Sequence, residues 1–264
     1  MPVLKGLEWT FDTVASTYEK MRPGYVEELY HALLAYISIN EDCNVIEIGS
    51  GGGQATEPVL RTGCRLTAIE YGEQFSELLK DKFKEYSNFS VITGKFEDVD
   101  LLDENYDLVF SASAFHWSPE KIGYEKVYSI LKEGGVFARF ANHPYCDKGN
   151  ITLSDEIDKI YDEYYYTFHN KKREIVCEYT EGQAKERAMI ASKYRFNDIK
   201  YALFYRERVF SAKEYVELLG TYSDHVAMEE TVRKEFFSKI EEAINRHGGT
   251  ITIYDTMDLQ LARK

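Results

Sequence analysis

The chain has 264 residues, of which 44% are apolar and 29% are charged, a composition typical of a soluble globular protein. Its formal net charge of −13 disfavours a nucleic-acid partner, because binding a phosphate backbone requires clustered positive charge. No apolar run is long enough to cross a bilayer, and residues 1–10 lack the features of a signal peptide. The four cysteines are scattered without a C-x-x-C pair. We therefore expect a cytoplasmic protein with buried thiols and with no metal site or disulfide.

The first 140 residues predict a parallel sheet preceded by helices. Apolar residues at helical spacing predict helices over 8–21 and 26–37, separated by Arg22-Pro23-Gly24. Short apolar runs then alternate with amphipathic segments, which indicates parallel strands with right-handed crossovers. The predicted strands are 45–48, 65–69, 89–93, 106–110 and 136–140, and the predicted helices between them begin at Gln54, Glu73 and Pro119.

Beyond residue 145 the alternation stops. Helical spacing predicts helices over 151–170 and 181–193, and a capping box at Ser211 begins another. Residues 201–210 and 250–262 are strand-like, with a bend expected at Asp255. We predict one α/β domain over 1–264, with an arm at 8–39, a core at 40–144 and 198–264, and a mainly helical cap inserted at 145–197.

The chain is organised around residues 44–53, NVIEIGSGGG. A buried strand here meets a glycine turn, which lets a ligand approach the backbone, and the helix that follows favours negative charge at its first turn. The second predicted strand ends at Glu70, where a carboxylate can accept hydrogen bonds from both ribose hydroxyls. Together these features predict a nucleoside cofactor.

Two cofactors fit this arrangement. A dinucleotide fold requires G-x-G-x-x-G/A, but Gln54 takes the last position. Tyr128 and Lys132 have the spacing of a dehydrogenase pair, yet they lie on the apolar face and at the end of one predicted helix. Glu47, inside the first strand, suits a ligand with an ammonium group and no phosphates. S-adenosylmethionine (SAM) is such a ligand, and it is the predicted cofactor.

Several ordered stretches carry a family resemblance: FDTVASTYEKMRPGY, VIEIGSGGGQAT, AIE, GKFED, FSASAFHWS, LKEGG and the late TYS. The chain resembles class I SAM-dependent methyltransferases of the methyltransferase type 11 group. Within that group it is most similar to the small-molecule enzymes of the trans-aconitate methyltransferase-like kind. The resemblance implies a Rossmann-like sheet, mostly parallel with an antiparallel late strand, and S-adenosylhomocysteine (SAH) as the product.

The resemblance also implies a donor site. The glycine loop lines SAM, Glu70 holds the ribose, Tyr71 packs beside the adenine, and Phe96 with Glu97 stands where the adenine edge is recognised. Tyr18 and Arg22 resemble an arm that closes over the donor. The predicted donor-binding residues are Tyr18, Arg22, Glu47, Gly49, Ser50, Gly51, Gly53, Glu70, Tyr71, Phe96, Glu97, Ser111 and Ala112.

His116 is the best candidate for a catalytic base or for a group that orients the acceptor, although a histidine packed in an aromatic cluster is an equal alternative. The predicted acceptor-binding residues are Phe115, His116, Trp117, Arg139, His143, Tyr145 and Tyr222. We expect methyl transfer to an oxygen, a carboxylate included, or to a nitrogen of a small molecule, by a monomer or homodimer that binds neither nucleic acid nor membrane. The alternatives are an NAD(P)-dependent oxidoreductase and a non-catalytic SAM-binding protein.

Overall fold

The computed structural model describes residues 20–22, 24–173 and 176–264. Within this part of the chain, seven strands form one sheet in the order β3-β2-β1-β4-β5-β7-β6. The strands are β1 (Asn44–Ile48), β2 (Arg65–Glu70), β3 (Phe89–Thr93), β4 (Tyr106–Ala112), β5 (Leu131–Tyr145), β6 (Asn197–Ser211) and β7 (Thr250–Arg263).

The first five strands pair in parallel, as the alternation in the sequence predicts. Glu47 is in register with Ala68 on β2 and with Phe110 on β4, and Ser111 is in register with Arg139 on β5. β1 and β4 are almost continuously apolar because helices cover both faces of a parallel sheet. The carboxyl ends of β1, β2 and β4 therefore lie along one edge of the sheet, where α/β proteins bind their ligands.

The last strand, β7, is antiparallel to the two strands beside it. Lys264 exchanges backbone hydrogen bonds with Gly134 and Gly135 at the start of β5, so the end of β7 meets the beginning of β5. Ala212, next to the end of β6, donates its N–H to Gly249, just before β7 begins. β7 is thus antiparallel to both strands, and this mixed sheet confirms the predicted α/β fold class.

The helices are α1 (Glu27–Tyr36), α2 (Thr56–Leu60), α3 (Glu73–Lys82), α4 (Glu120–Ile130), α5 (Ile151–Ile160), α6 (Glu181–Met189), α7 (Ala212–Leu219), α8 (Ser223–Val226) and α9 (Glu230–Arg246). The helix predicted over 151–170 changes to a π-helix at Tyr161–Tyr166. The helix predicted over 181–193 ends in a 3₁₀ turn at Ile190–Tyr194. The capping box at Ser211 is confirmed, since Ser211 and Glu214 exchange hydrogen bonds between side chain and backbone.

The chain forms two compact units. The glycine-loop unit comprises Pro23–Asn142, Tyr179–Phe204 and Met257–Lys264, and its apolar clusters cover the two faces of the parallel strands. The described part of the tyrosine-rich unit comprises residues 20–22, 143–173, 176–178 and 205–256, and its core is built from α5, the π-helix, α7 and α9. This division differs from the predicted cap at 145–197, because residues 179–197 belong to the glycine-loop unit.

Two smaller expectations are wrong in part. Cys64 is buried and Cys43 is half-buried, but Cys146 and Cys177 are exposed. β7 continues through Asp255 without a break because that carboxylate, which is fully buried, forms ion pairs with Arg206 at 3.0 Å and with Arg208 at 2.5 Å. A helix long and apolar enough to cross a membrane is absent from the described residues.

The Asp255 ion pairs provide a test of stability within the tyrosine-rich unit. Asp255→Ala removes the buried carboxylate that binds the guanidinium groups of Arg206 and Arg208, and we expect the free energy of unfolding to fall by about 3 kcal/mol. Urea denaturation followed by circular dichroism measures the change. The control is Asp81→Ala, which removes an exposed ion pair to Lys84 and is expected to change nothing measurable. Equal stability of wild type and Asp255→Ala would contradict the assigned role.

Candidate functional site

The glycine loop after β1 is a tight turn with no room for side chains at two of its positions. Gly49 has φ +69° and donates its N–H to the carbonyl of Ile69, and a Cβ at Gly49 would lie 2.4 Å from the Cβ of Ala114. Gly53 has φ +76°, and a Cβ there would lie 2.7 Å from the Phe83 ring. Both positions therefore require glycine, because φ is positive and because a side chain would clash with its neighbours. Without side chains there, the loop backbone stays open to a ligand.

Glu70, the last residue of β2, fixes the loop. Its Oε2 accepts a hydrogen bond of 2.7 Å from the N–H of Gly51, and its Oε1 accepts one of 2.9 Å from the N–H of Gly72. Both bonds are charge-assisted and are therefore stronger than bonds between neutral groups. The carboxylate predicted to hold a ribose thus also joins the turn after β1 to the turn after β2.

Glu47 lies beneath the loop and is completely buried. Its Oε2 accepts a hydrogen bond of 2.6 Å from the hydroxyl of Thr56 at the start of α2. Burial raises the pKa of Glu47 to about 7, even though the Thr56 and Ser50 hydroxyls lower it, and the nearby Glu70 charge raises it further. Thr56 is not among the predicted site residues; its place three residues after the loop, facing back toward β1, is the signal that points to it.

The site contains buried polar atoms whose hydrogen bonding is incomplete. Glu47 Oε1 and Ser50 Oγ are both shielded from solvent and lack a well-aligned hydrogen bond to the described residues, although the Ser50 hydroxyl is close enough to Glu47 to lower its pKa. Such atoms are costly unless a ligand or an ordered water satisfies them. A ligand with an ammonium group would satisfy a carboxylate and a hydroxyl, so the residues present fit the methionine part of SAM.

The predicted adenine side contains one exposed and one buried aromatic residue. Tyr71 is 49% exposed, with the ammonium of Lys95 5.4 Å from its ring centroid, and its ring is free to stack on a base. Phe96 is buried in the core, and Lys126 Nζ binds its carbonyl at 2.5 Å. Glu97 accepts a hydrogen bond of 3.3 Å from Ser118. Phe96 can therefore offer a base its backbone but not its ring.

Residues at the end of β4 hold the strands together. Ser111 is buried and donates its hydroxyl to the Ile48 carbonyl at 2.8 Å, so this side chain spans β4 and β1, and Ala112 beside it is half-buried. Ser113, which the sequence analysis did not select, has φ +55° and shares a hydrogen bond of 2.8 Å with the Tyr25 hydroxyl. A strained residue at a strand end is frequent in ligand sites, and only the structure reveals it.

The short turn after β4, Phe115–Trp117, contains one buried, one exposed and one half-buried aromatic residue. Phe115 is buried, with ring centroids 5.2 Å from Tyr124 and 4.9 Å from Phe137, so its side chain packs in the core, which does not support the predicted contact with an acceptor. His116 is exposed and Trp117 is half-buried. Desolvation by neighbouring groups lowers the pKa of His116 to about 4, and the charges of Arg187 and Arg139 act in the same direction.

Arg139 points into the core. It is 8% exposed, its Nη1 donates to the Tyr124 hydroxyl, and its guanidinium lies 5.0 Å from the Phe115 ring centroid. Arg139 and Gln260 also line a cavity of about 10 Å³, the size of one water molecule. The predicted contact between Arg139 and an acceptor is therefore not supported, because its guanidinium is committed to packing.

Three other predicted acceptor residues, His143, Tyr145 and Tyr222, belong to the tyrosine-rich unit, and all three are half-buried. Arg22 is in the same unit and donates to Thr221 Oγ1 at 3.0 Å and to its carbonyl at 3.2 Å. The Arg22 guanidinium lies 4.1 Å from the Tyr222 ring centroid. Tyr18 lies outside the described residues, so the arm predicted from Tyr18 and Arg22 stays a prediction.

Tyr128 and Lys132, which have the spacing of a dehydrogenase pair, each have a structural role. Lys132 Nζ forms an ion pair of 2.8 Å with Asp107, and Tyr128 packs against the core with the Arg195 guanidinium 3.9 Å from its ring centroid. Neither residue is near the glycine loop in the sheet. The pair is therefore engaged in packing and charge pairing, as its position on the apolar face and at the end of one predicted helix indicated.

The strand order, the glycine turn after β1 and the carboxylate at the end of β2 define a class of α/β proteins that bind nucleosides at one edge of a mixed sheet. Comparison with known proteins narrows this class. Residues 46–138 match the family described as "Methyltransferase domain". An uncharacterized methyltransferase of Schizosaccharomyces pombe is 23% identical over 241 residues, which cover 89% of this chain and 87% of that protein.

Solved structures share the fold. A provisionally assigned type II methyltransferase from Anaeromyxobacter dehalogenans superimposes with a TM-score of 0.61 at 18% identity, covering 92% of this chain and 97% of that one. Phosphoethanolamine N-methyltransferase 2 of Haemonchus contortus, in complex with phosphomonomethylethanolamine and S-adenosylhomocysteine, superimposes with a TM-score of 0.57 at 13% identity. That match covers 100% of this chain and 61% of the other.

These comparisons indicate a SAM-dependent methyltransferase with a methyltransferase domain at residues 46–138. The predicted cofactor is thereby confirmed at the level of the family. The narrower likeness to trans-aconitate methyltransferases stays a prediction.

The loop geometry predicts how a methyl group at Gly49 would act. Gly49→Ala places a Cβ against Ala114, so we expect a lower melting temperature and at least tenfold weaker SAH binding by isothermal titration calorimetry. Gly134→Ala is the matched control, because Gly134 has φ +74° but nothing within 4 Å of a Cβ. Gly134→Ala should lower the free energy of unfolding only by the strain of placing a non-glycine residue at positive φ, about 1–2 kcal/mol.

The double variant Gly49→Ala/Ala114→Gly tests the steric explanation. Removing the opposing methyl group is expected to restore part of the lost SAH affinity. If Gly49→Ala binds SAH as tightly as wild type, the loop does not need the close approach that we describe.

Proposed function

We propose that this methyltransferase acts on a small molecule and transfers the methyl group to an oxygen or a nitrogen of that acceptor. The observation that carries the proposal is the Glu70 carboxylate, held by the amides of Gly51 and Gly72 beside the buried Glu47. This arrangement places two carboxylates and an open backbone where a charged nucleoside can bind. The exposed His116, on the turn after β4, lies at the same edge of the sheet.

In this proposal the donor-binding residues are those at the strand ends. Glu70 accepts hydrogen bonds from the ribose, Tyr71 stacks on the adenine, and Glu47 with Ser50 faces the methionine end. The backbone of Gly49, Gly51 and Gly53 lines the donor. Phe96 contributes its backbone and Glu97 its carboxylate at the adenine edge, while Ser111 and Ala112 form the floor below the sulfur.

SAM, when bound, supplies a methyl group on a sulfonium, which a nucleophile displaces in line. The protein must then orient the acceptor and exclude water, since proximity supplies much of the rate. His116 is neutral at pH 7 because its pKa is about 4, so it can accept a hydrogen bond from an acceptor hydroxyl or amine. A group with so low a pKa is a weak base at neutral pH. We therefore assign His116 to orientation of the acceptor.

Glu70→Ala tests the donor site. The substitution removes both the ribose acceptor and the hydrogen bond to Gly51, so we expect SAH to bind about 10- to 100-fold more weakly by titration calorimetry. The control is Glu73→Ala, three residues along the chain at the start of α3, where we expect unchanged affinity. Circular dichroism verifies that both variants are folded. Failure of wild type to bind SAM and SAH while it binds NAD would overturn the proposed function.

His116→Ala tests the acceptor side. We expect a lower kcat with SAH affinity unchanged, because His116 touches the acceptor and not the donor. The part of the activity that depends on His116 should be constant from pH 6 to pH 8 and lost only as the pH falls toward 4, where the imidazole becomes charged. The measurement is turnover across a panel of small hydroxyl, carboxyl and amine acceptors. Turnover unchanged in His116→Ala for every acceptor used by wild type would refute this role.

A further inference from the structure

Lys126, on α4, binds three backbone carbonyls of the loop that follows β3. Its Nζ donates to the carbonyls of Phe96 at 2.5 Å, of Glu97 at 3.1 Å and of Val99. An ammonium group has three N–H donors, so these three carbonyls use its whole capacity for hydrogen bonds. Lys126 is not among the predicted site residues, because 30 residues of chain separate it from Phe96.

Other hydrogen bonds hold the two ends of the same loop. Gly94, the first residue after β3, donates its N–H to the Glu70 carbonyl at 2.8 Å. The N–H groups of Asp98 and Val99 both donate to the Lys95 carbonyl, at 3.0 and 3.2 Å, and so close a turn. The loop therefore begins beside the end of β2 and closes on itself, and the ammonium of α4 binds its middle.

The Lys126 contact fixes the direction of one particular N–H group. A peptide unit is planar and trans, so its N–H points away from its C=O. The Phe96 carbonyl points to the ammonium, and the N–H of the same peptide unit, which belongs to Glu97, therefore points to the opposite side. Because the Phe96 ring is buried in the core, this N–H is the group that the peptide unit can offer to a ligand.

The surroundings of Lys126 strengthen its bonds to the loop. Partial burial lowers the pKa of Lys126, and the charges of Asp100, Asp98 and Glu97 act in the opposite direction. Three nearby carboxylates thus favour the charged ammonium, and a charged donor forms stronger hydrogen bonds than a neutral one. The ammonium also lies 5.1 Å from the Phe96 ring centroid, within the range of a cation–π contact.

We propose that Lys126 is a positioning residue for recognition of the donor's adenine: by holding the Phe96–Glu97 peptide unit, it directs the Glu97 N–H to adenine N1. This inference rests on the proposed function, in which Phe96 and Glu97 lie at the adenine edge. It adds a residue of α4 that does not touch the donor and acts through the backbone of the loop.

Two ligands that differ at one ring atom test the N1 contact. SAH presents N1 as a hydrogen-bond acceptor, whereas its 1-deaza analogue has a C–H at that position. Wild type should bind SAH about tenfold more tightly than the analogue, the usual effect of one hydrogen bond. Lys126→Met keeps most of the side-chain length but removes the ammonium, so this preference should fall to about twofold or less. Titration calorimetry on the full chain measures all four affinities.

A matched control lies on the same helix. Lys121 is exposed, and its ammonium is 3.9 Å from the Glu125 carboxylate, so Lys121→Met should keep the wild-type preference for SAH over the analogue. Lys126→Arg keeps the positive charge and the N–H donors, and it should retain part of that preference.

Hydrogen exchange at the Glu97 amide supplies a second measurement. In wild type, exchange followed by NMR should slow roughly tenfold when SAH binds, because the amide gains a partner, and should not slow when the 1-deaza analogue binds. In Lys126→Met, SAH should not slow it. The wild-type comparison alone remains decisive if Lys126→Met does not fold.

The outcomes separate the inference from the proposed function. A purely structural role of Lys126 would weaken both ligands by the same factor in Lys126→Met and leave the preference unchanged. That result, or equal binding of the two ligands by wild type, would make the inference wrong while the function stands. If wild type binds neither SAH nor SAM, the proposed donor site itself is wrong.

Discussion

The candidate donor site depends on the Glu70 carboxylate, which accepts hydrogen bonds from the backbone of two turns. Glu70 stands at the end of β2 and accepts the N–H of Gly51 from the turn after β1 and that of Gly72 from the turn before α3. Parallel strands bring these two turns side by side, but the sheet alone does not fix their relative positions. The two charge-assisted bonds do so. A ligand that binds Glu70 therefore meets a loop that is already in place, which lowers the entropy cost of binding.

Close packing around two glycines also fixes the position of the loop. Gly49 approaches Ala114 and Gly53 approaches Phe83 so closely that any side chain would move the loop. Beside this loop lie the buried polar atoms Glu47 Oε1 and Ser50 Oγ, whose counterparts in most proteins are satisfied by neighbouring groups. The raised pKa of Glu47 expresses the same imbalance, since a carboxylate in this environment binds a proton more tightly than in water. A cationic ligand would relieve both costs, and a diphosphate would increase them.

The sequence identified the elements of the candidate donor site because their signals are local. The glycine run, Glu47 and the strand end at Glu70 lie within 25 residues, and each has a backbone or charge function that follows from its type. The parallel strands followed from their apolar runs, and the capping box at Ser211 from two residues of fixed spacing. The π-helix at Tyr161–Tyr166 and the long β7 could not be predicted, since tertiary packing decides them. Asp255 seemed to interrupt a strand only because its two arginine partners lie almost 50 residues away.

The residues that contact an acceptor are harder to predict, because the direction of their side chains depends on tertiary packing. Phe115 and Arg139 follow strand ends at the correct edge of the sheet, which made them candidates, but the structure turns both side chains into the core around Tyr124. Position along a strand determines which edge a residue reaches, whereas the direction of its side chain depends on what packs above it. Arg139 shows this most clearly, because a buried guanidinium against aromatic rings is stabilised by cation–π contacts and by one hydroxyl. Desolvation is the first cause of the low His116 pKa, and the positive charges of Arg187 and Arg139 lower that pKa further. In the proposed function, a core residue that touches no acceptor therefore still contributes to the protonation state of the residue that orients it.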